Sequence, residues 1–134
     1  MIRTFLDAGV LIAAARGDTA LSQRALEIVK ERERVFVSSL FIRLEVLPKA
    51  VFHRQEGEAL FYRSYFDQVS VWVNPDQELV KEANDVATRF GLAAMDALHV
   101  TSAMMAGVDE LVTTEKPTRP IYRVPGLSVK TIYL

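Results

Sequence analysis

A chain of 134 residues, half of them hydrophobic and a quarter charged, has room for one compact domain over residues 1–134 and none for a second. The absence of cysteine excludes disulfides, thiolate metal sites and a cysteine nucleophile, so any metal must be held by oxygen or by the two histidines. Sixteen basic residues against seventeen acidic ones leave a net charge of −1, which excludes the broad basic footprint of a duplex-packaging protein and makes any nucleic-acid contact local or metal-assisted.

The apolar run from Ile2 to Leu6, ended by Asp7, predicts a buried strand that turns into a short helix. From about Thr19 to Arg34, Leu21, Ala25, Ile28 and Val29 recur at helical spacing, and Arg34 to Ser38 reads as a second strand. Ser38 or Ser39 is placed to cap a helix through Leu40, Leu44, Leu47 and Val51, with a kink expected at Pro48. Another amphipathic helix spans Gln55 to Gln68, and the branched and aromatic run Val69 to Val73 follows as a strand. Asn74 is the expected cap of the next helix, with Pro75 in its first position and Gln77 reaching back. That helix should end near Phe90 at Gly91, and a second, from about Ala93 to Ala106, should stop at Gly107. Glu110 to Thr114 and Leu127 to Tyr133 are the last strands, separated by a Pro-containing loop over residues 116–126.

Short strands alternating with helices require crossover connections, so the expected fold is a three-layer α/β/α sandwich around a mostly parallel sheet. No apolar run approaches the roughly 20 residues of a membrane span, and an acid interrupts the first apolar stretch. A soluble, untargeted, cytoplasmic protein is therefore expected.

In an open parallel sheet, ligands bind beyond the carboxyl ends of the strands, where Asp7 and Glu115 both fall. Taken singly, Asp7 reads as a helix cap and Glu115 as a solvated loop acid. Asp96 is more telling: it lies in the apolar segment AAMDALHV (residues 93–100), where a carboxylate needs a partner or a cation, although it also suits a first helical turn. Glu45 borders an apolar helix face, and an ion pair with Lys49 is its simplest explanation. His53 and His99 form no local metal pair and read as structural, and no phosphate-binding glycine loop or serine-hydrolase elbow occurs. Together the four acids are an oxygen-only donor set of the kind that suits Mg²⁺ or Mn²⁺ and phosphodiester hydrolysis. Thr114, Lys116 and Arg119 beside Glu115, and Arg16 more weakly, are candidates to touch a phosphate, each also explicable as strand-end or solvated residues.

The order of these motifs resembles the PIN domain, the nuclease fold of VapC-type toxins and of many solitary bacterial and archaeal proteins. The resemblance spans nearly the whole chain and rests on DAGVLI (7–12), SSLFIRLE (38–45), DALH (96–99) and ELVTTE (110–115). It implies that Asp7, Glu45, Asp96 and Glu115 gather at one end of the sheet, hold one or two Mg²⁺ or Mn²⁺ ions and cut RNA. It implies too that the chain forms a homodimer and meets an antitoxin protein. The fourth acid of the family is usually Asp, one methylene shorter than Glu115, and Gly9 stands where a polar residue is commoner. These departures keep open a second reading, a catalytically weak or inactive PIN module for RNA binding or protein assembly. An aspartate phosphotransfer protein ranks below both. A haloacid-dehalogenase pattern would need an acid where Gly9 stands, and a receiver domain would have only Lys116 for its later lysine.

Overall fold

A computed structural model describes residues 1–133; Leu134, the last residue of the expected domain, lies outside them. Among the described residues, β1 (Ile2–Leu6), β2 (Arg34–Ser39), β3 (Val71–Val73), β4 (Glu110–Thr113) and β5 (Val129–Thr131) form one sheet. Its order is β3-β2-β1-β4-β5, and all neighbouring pairs are parallel. The helices between them are α1 (Ala8–Arg16), α2 (Ala20–Val29), α3 (Leu40–Phe52), α4 (Glu56–Gln68), α5 (Gln77–Phe90) and α6 (Ala94–Met105).

Because successive strand residues point to opposite faces, β1 and β2 feed two helical layers at once. Phe5 lies against His99 of α6, with ring centroids 6.4 Å apart, whereas Phe36 meets the ring of Tyr65 on α4 edge-on at 5.3 Å. Helix α1 packs on α2, α3 and α4, and α5 packs on α6, giving the expected α/β/α sandwich. The core is continuous across the sheet through Phe5, Leu6, Val37, Leu111 and Val112.

Several boundaries move. Helix α2 ends at Val29, well short of Arg34, because residues 30–33 carry only exposed charged side chains and have no apolar face to bury. Strand β3 begins at Val71, since the Val69 N–H still bonds the Phe66 carbonyl at the end of α4. Asp76, not Asn74, caps α5: its carboxylate accepts the Leu79 N–H at 2.9 Å, a stronger acceptor than an amide, and Pro75 precedes the helix. Helix α3 is continuous through Pro48. The carbonyl of Leu44, which a proline cannot bond, belongs to an exposed residue that water can serve. Strands β4 and β5 are shorter than expected, and the loop between them includes a 3₁₀ turn, Pro120–Arg123, that buries Ile121. Gly91 and Gly107 take the left-handed conformation that ends α5 and α6 (φ 72° and 62°). No helix among the described residues is long and apolar enough to cross a membrane.

The strand order positions the site. From β1 the chain winds outward through β2 and β3, then returns to the other side of β1 for β4 and β5. Helices therefore diverge to opposite faces between β1 and β4, which leaves a crevice at the carboxyl ends of those two strands.

Candidate active site

Asp7 enters this crevice directly from β1. Its N–H bonds the Val112 carbonyl at 2.9 Å, so the β1–β4 ladder fixes its backbone one residue past the strand. One carboxylate oxygen accepts the Ala8 N–H at 2.9 Å and the other the Thr113 hydroxyl at 3.0 Å. Asp7 is thus both the cap of α1 and a residue of the candidate site. Only 7% of Asp7 is exposed, and burial pushes its carboxyl above the ordinary value. His99, Thr113 and the Ala8 N–H oppose that rise, and repulsion from Asp96 adds to it.

Asp96 stands in the first turn of α6, partly buried. Burial, then the charges of Glu115 and Glu45, push its carboxyl up, against the pull of His99 and Arg119. Glu45, from the second turn of α3, meets His99 Nε2 at 3.0 Å. That hydrogen bond holds its carboxyl below the ordinary range despite partial burial, with Lys49 adding a smaller pull. Glu115 lies two residues beyond β4. Its N–H bonds the Thr113 hydroxyl at 3.1 Å, and its carbonyl accepts from the hydroxyls of Tyr122 (3.1 Å) and Thr131 (2.7 Å). Its carboxylate faces Arg119 at 3.3 Å in a partly exposed pair.

The Thr113 hydroxyl ties Asp7 to the Glu115 backbone, His99 ties Glu45 to the helix of Asp96, and charge links the two pairs: Asp96 acts on Asp7, and Glu115 and Glu45 act on Asp96. Arg119 joins them. The opposite end of the sheet differs: there Arg34 neutralises Glu31 and Glu110 and also donates to Thr4. Among the described residues, no three Asp, Glu or His side chains stand ready at chelating geometry. Glu45 is turned to His99, Glu115 to Arg119, and Asp7 to Thr113 and Ala8.

The remaining candidates divide. A Cβ on Gly9 would lie 2.4 Å from the Thr114 hydroxyl, so that hydroxyl fills the space a side chain at position 9 would take, above the first turn of α1. Lys116 extends over the Tyr133 ring at 5.4 Å. Arg16 is not brought to the acids. It ends α1, roughly 13 Å of helix away from Asp7, and pairs with Glu58 of α4 at 2.9 Å. Two residues of the site escaped the sequence reading. Thr113 is fully buried between Asp7 and Glu115, and His99 ties α6 to α3. The signal for His99 was its place three residues after Asp96, one turn on along the same helix face.

An α/β sandwich with an acidic crevice at its switch point defines a class; the sequence defines the family. The PIN-domain model matches residues 4–121, and the chain belongs to that family. No curated protein matches the sequence. Solved structures share the fold, and three of them illustrate the likeness. VapBC2 from Rickettsia felis, bound to a DNA fragment from its promoter, has 12% identity over 97% of this chain and 98% of its own, with a TM-score of 0.73. A toxin–antitoxin complex from Klebsiella pneumoniae has 21% identity over 92% of this chain and 94% of its own, with a TM-score of 0.69. VapC20 of Mycobacterium tuberculosis, a toxin that cleaves the sarcin–ricin loop, has 15% identity over 81% of this chain and 86% of its own, with a TM-score of 0.61.

Proposed function

We propose that residues 1–134 act as one divalent-metal-dependent endoribonuclease domain, the toxin of a toxin–antitoxin pair. The observation that carries this reading is the meeting of four acids at the carboxyl ends of β1 and β4, where the Thr113 hydroxyl bridges Asp7 and the Glu115 backbone, the charges of Glu115 and Glu45 act on Asp96, and that of Asp96 acts on Asp7. Membership of the PIN family and the fold shared with toxins of toxin–antitoxin complexes support it.

The donor set fits a hard dication, Mg²⁺ or Mn²⁺: all four ligands are oxygen, and burial disfavours the ionised forms of Asp7 and Asp96, a cost that a bound cation would offset. Such an ion, when bound, supplies charge neutralisation, polarisation of a phosphate and a water of lowered pKa. The protein's part is to hold Asp7 rigid through Thr113 and to let Glu115 exchange its Arg119 partner for the cation. That exchange frees the Arg119 guanidinium for a phosphate of the RNA backbone, beside Thr114 and Lys116. Arg16, held by Glu58, is left out of this contact set.

The partners proposed are an RNA substrate, an antitoxin protein and a second copy of the chain, in the cytoplasm. Leu40, Leu44 and Val51 form an exposed apolar stripe along α3, a surface suited to a protein contact. A catalytically weak or inactive module for RNA binding or protein assembly is the second reading, favoured by the Glu115–Arg119 pair and by Gly9.

Incubation of the purified chain with end-labelled RNAs and Mn²⁺ or Mg²⁺ tests these readings. Cleavage is expected with metal, not with EDTA, and not in folded Asp7→Asn or Asp96→Asn variants. RNA retention without cleavage would favour the module. Equal cleavage by the Asp7→Asn/Asp96→Asn double variant would mark a contaminating nuclease and sink the enzymatic reading.

A further inference from the structure

His99 is 1% exposed, and its Nδ1 is buried with no hydrogen-bond partner. Its Nε2 lies 3.0 Å from Glu45, and its ring rests near Phe5. For packing alone this is a poor choice. A leucine or methionine would fill the same volume without burying an orphaned polar atom, and buried polar atoms that lack partners call for an explanation. A carboxylate only accepts, so Nε2 donates its hydrogen to Glu45.

Asp96 and His99 are three residues apart on α6 and share one face. One helix thus presents an acid of its own and holds a second acid that belongs to α3. We propose that His99 is a positioning residue that aims the Glu45 carboxylate at the cation site through its Nε2–H, so that the α3 and α6 ligands are set as a unit. This inference rests on the metal-dependent reading above. It goes further in giving a role to a side chain that is itself no ligand: orientation of a ligand by an outer hydrogen bond, whose loss weakens metal binding by about 10- to 100-fold.

The test is Mn²⁺ titration of the full chain by calorimetry, together with a long-range ¹H–¹⁵N spectrum of the imidazole. His99→Met removes the donor at similar volume, His99→Gln places an amide N–H near the Nε2 position, and His99→Asn carries a donor too short to reach Glu45. Expected are a protonated Nε2 in the wild-type spectrum, Mn²⁺ binding at least about tenfold weaker in His99→Met and His99→Asn, and recovery to within about threefold in His99→Gln. Should His99→Met fail to fold, the His99→Asn and His99→Gln pair makes the same comparison. Equal Mn²⁺ affinity in wild type and His99→Asn, failure of His99→Gln to recover it, or a hydrogen on Nδ1 instead of Nε2 would overturn the positioning role and leave the metal reading intact. No Mn²⁺ binding by the wild type would overturn both.

Discussion

Replacing Thr113 with Val keeps the shape of a fully buried side chain and deletes one hydroxyl that serves two neighbours. That hydroxyl donates to an Asp7 carboxylate oxygen at 3.0 Å and accepts the Glu115 N–H at 3.1 Å. A hydrogen bond to a charged group contributes about 1.5–3 kcal/mol, and the Asp7 oxygen left behind is too buried for water to replace it. The expected loss is about 2–3 kcal/mol at neutral pH, a fall in Tm of roughly 8–12 °C for a domain of this size. Thr113→Ser retains the hydroxyl and should lose only about 1 kcal/mol for one buried methyl group. Chemical denaturation of wild type, Thr113→Val, Asp7→Asn and the double variant closes a cycle that isolates the bond. A coupling of about 1–2 kcal/mol is expected, because Asn at position 7 no longer gives the hydroxyl a charged acceptor. If the two substitutions add to within about 0.5 kcal/mol, Thr113 does not stabilise the Asp7 carboxylate and the account of the crevice is wrong.

Asp7 and Asp96 are both held above their ordinary value of 3.8, so the folded chain binds protons more tightly than the unfolded one, and stability falls as pH rises through that window. Asp7→Asn should therefore gain Tm over wild type as pH rises from about 4 to the Asp7 carboxyl's raised value and keep that gain above it, with the gain disappearing on acidification below about 4; a pH-independent difference would contradict this. Glu45, held below its ordinary 4.5, has the opposite sign: Glu45→Gln should lose stability relative to wild type at neutral pH, a deficit that shrinks as pH falls through the lowered folded value. Gly9→Ala sets a methyl group against the Thr114 hydroxyl and should destabilise by about 1–3 kcal/mol, with Thr114→Ala in the same chain restoring most of the loss in thermal melts. Asp76→Ala should cost about 1 kcal/mol through loss of the α5 cap, and Asp76→Asn should recover most of it in the same measurement.

Much of the architecture was legible because it depends on local patterns. The apolar runs at Ile2–Leu6 and Arg34–Ser39 mark strands buried on both faces, and Gly91 and Gly107 end α5 and α6 by a conformation glycine adopts without strain. Errors fell where two local signals competed. Asn74 and Asp76 both qualify as caps, and what decides between them is which carbonyl-type oxygen reaches the third helical N–H. The residues after Val29 are good helix formers, but no apolar face follows them into the core.

The site divides in the same way. Composition and spacing alone determined the type of chemistry available: oxygen donors without thiolates, an acid at the end of each of two strands, and an acid set in an apolar helix. The tertiary structure decided who meets whom. The strand order put β4 beside β1, so that Thr113 bridges Asp7 and Glu115, which are far apart in the chain. The packing of α6 against α3 turned a histidine that reads as core filler into the partner of Glu45. Arg16 was separated from the acids by the length of α1. Local pattern records what each residue prefers within a turn or a strand. Proximity across 106 residues, as between Asp7 and Thr113, is set by chain topology and by the burial it achieves, and no window of sequence contains that information.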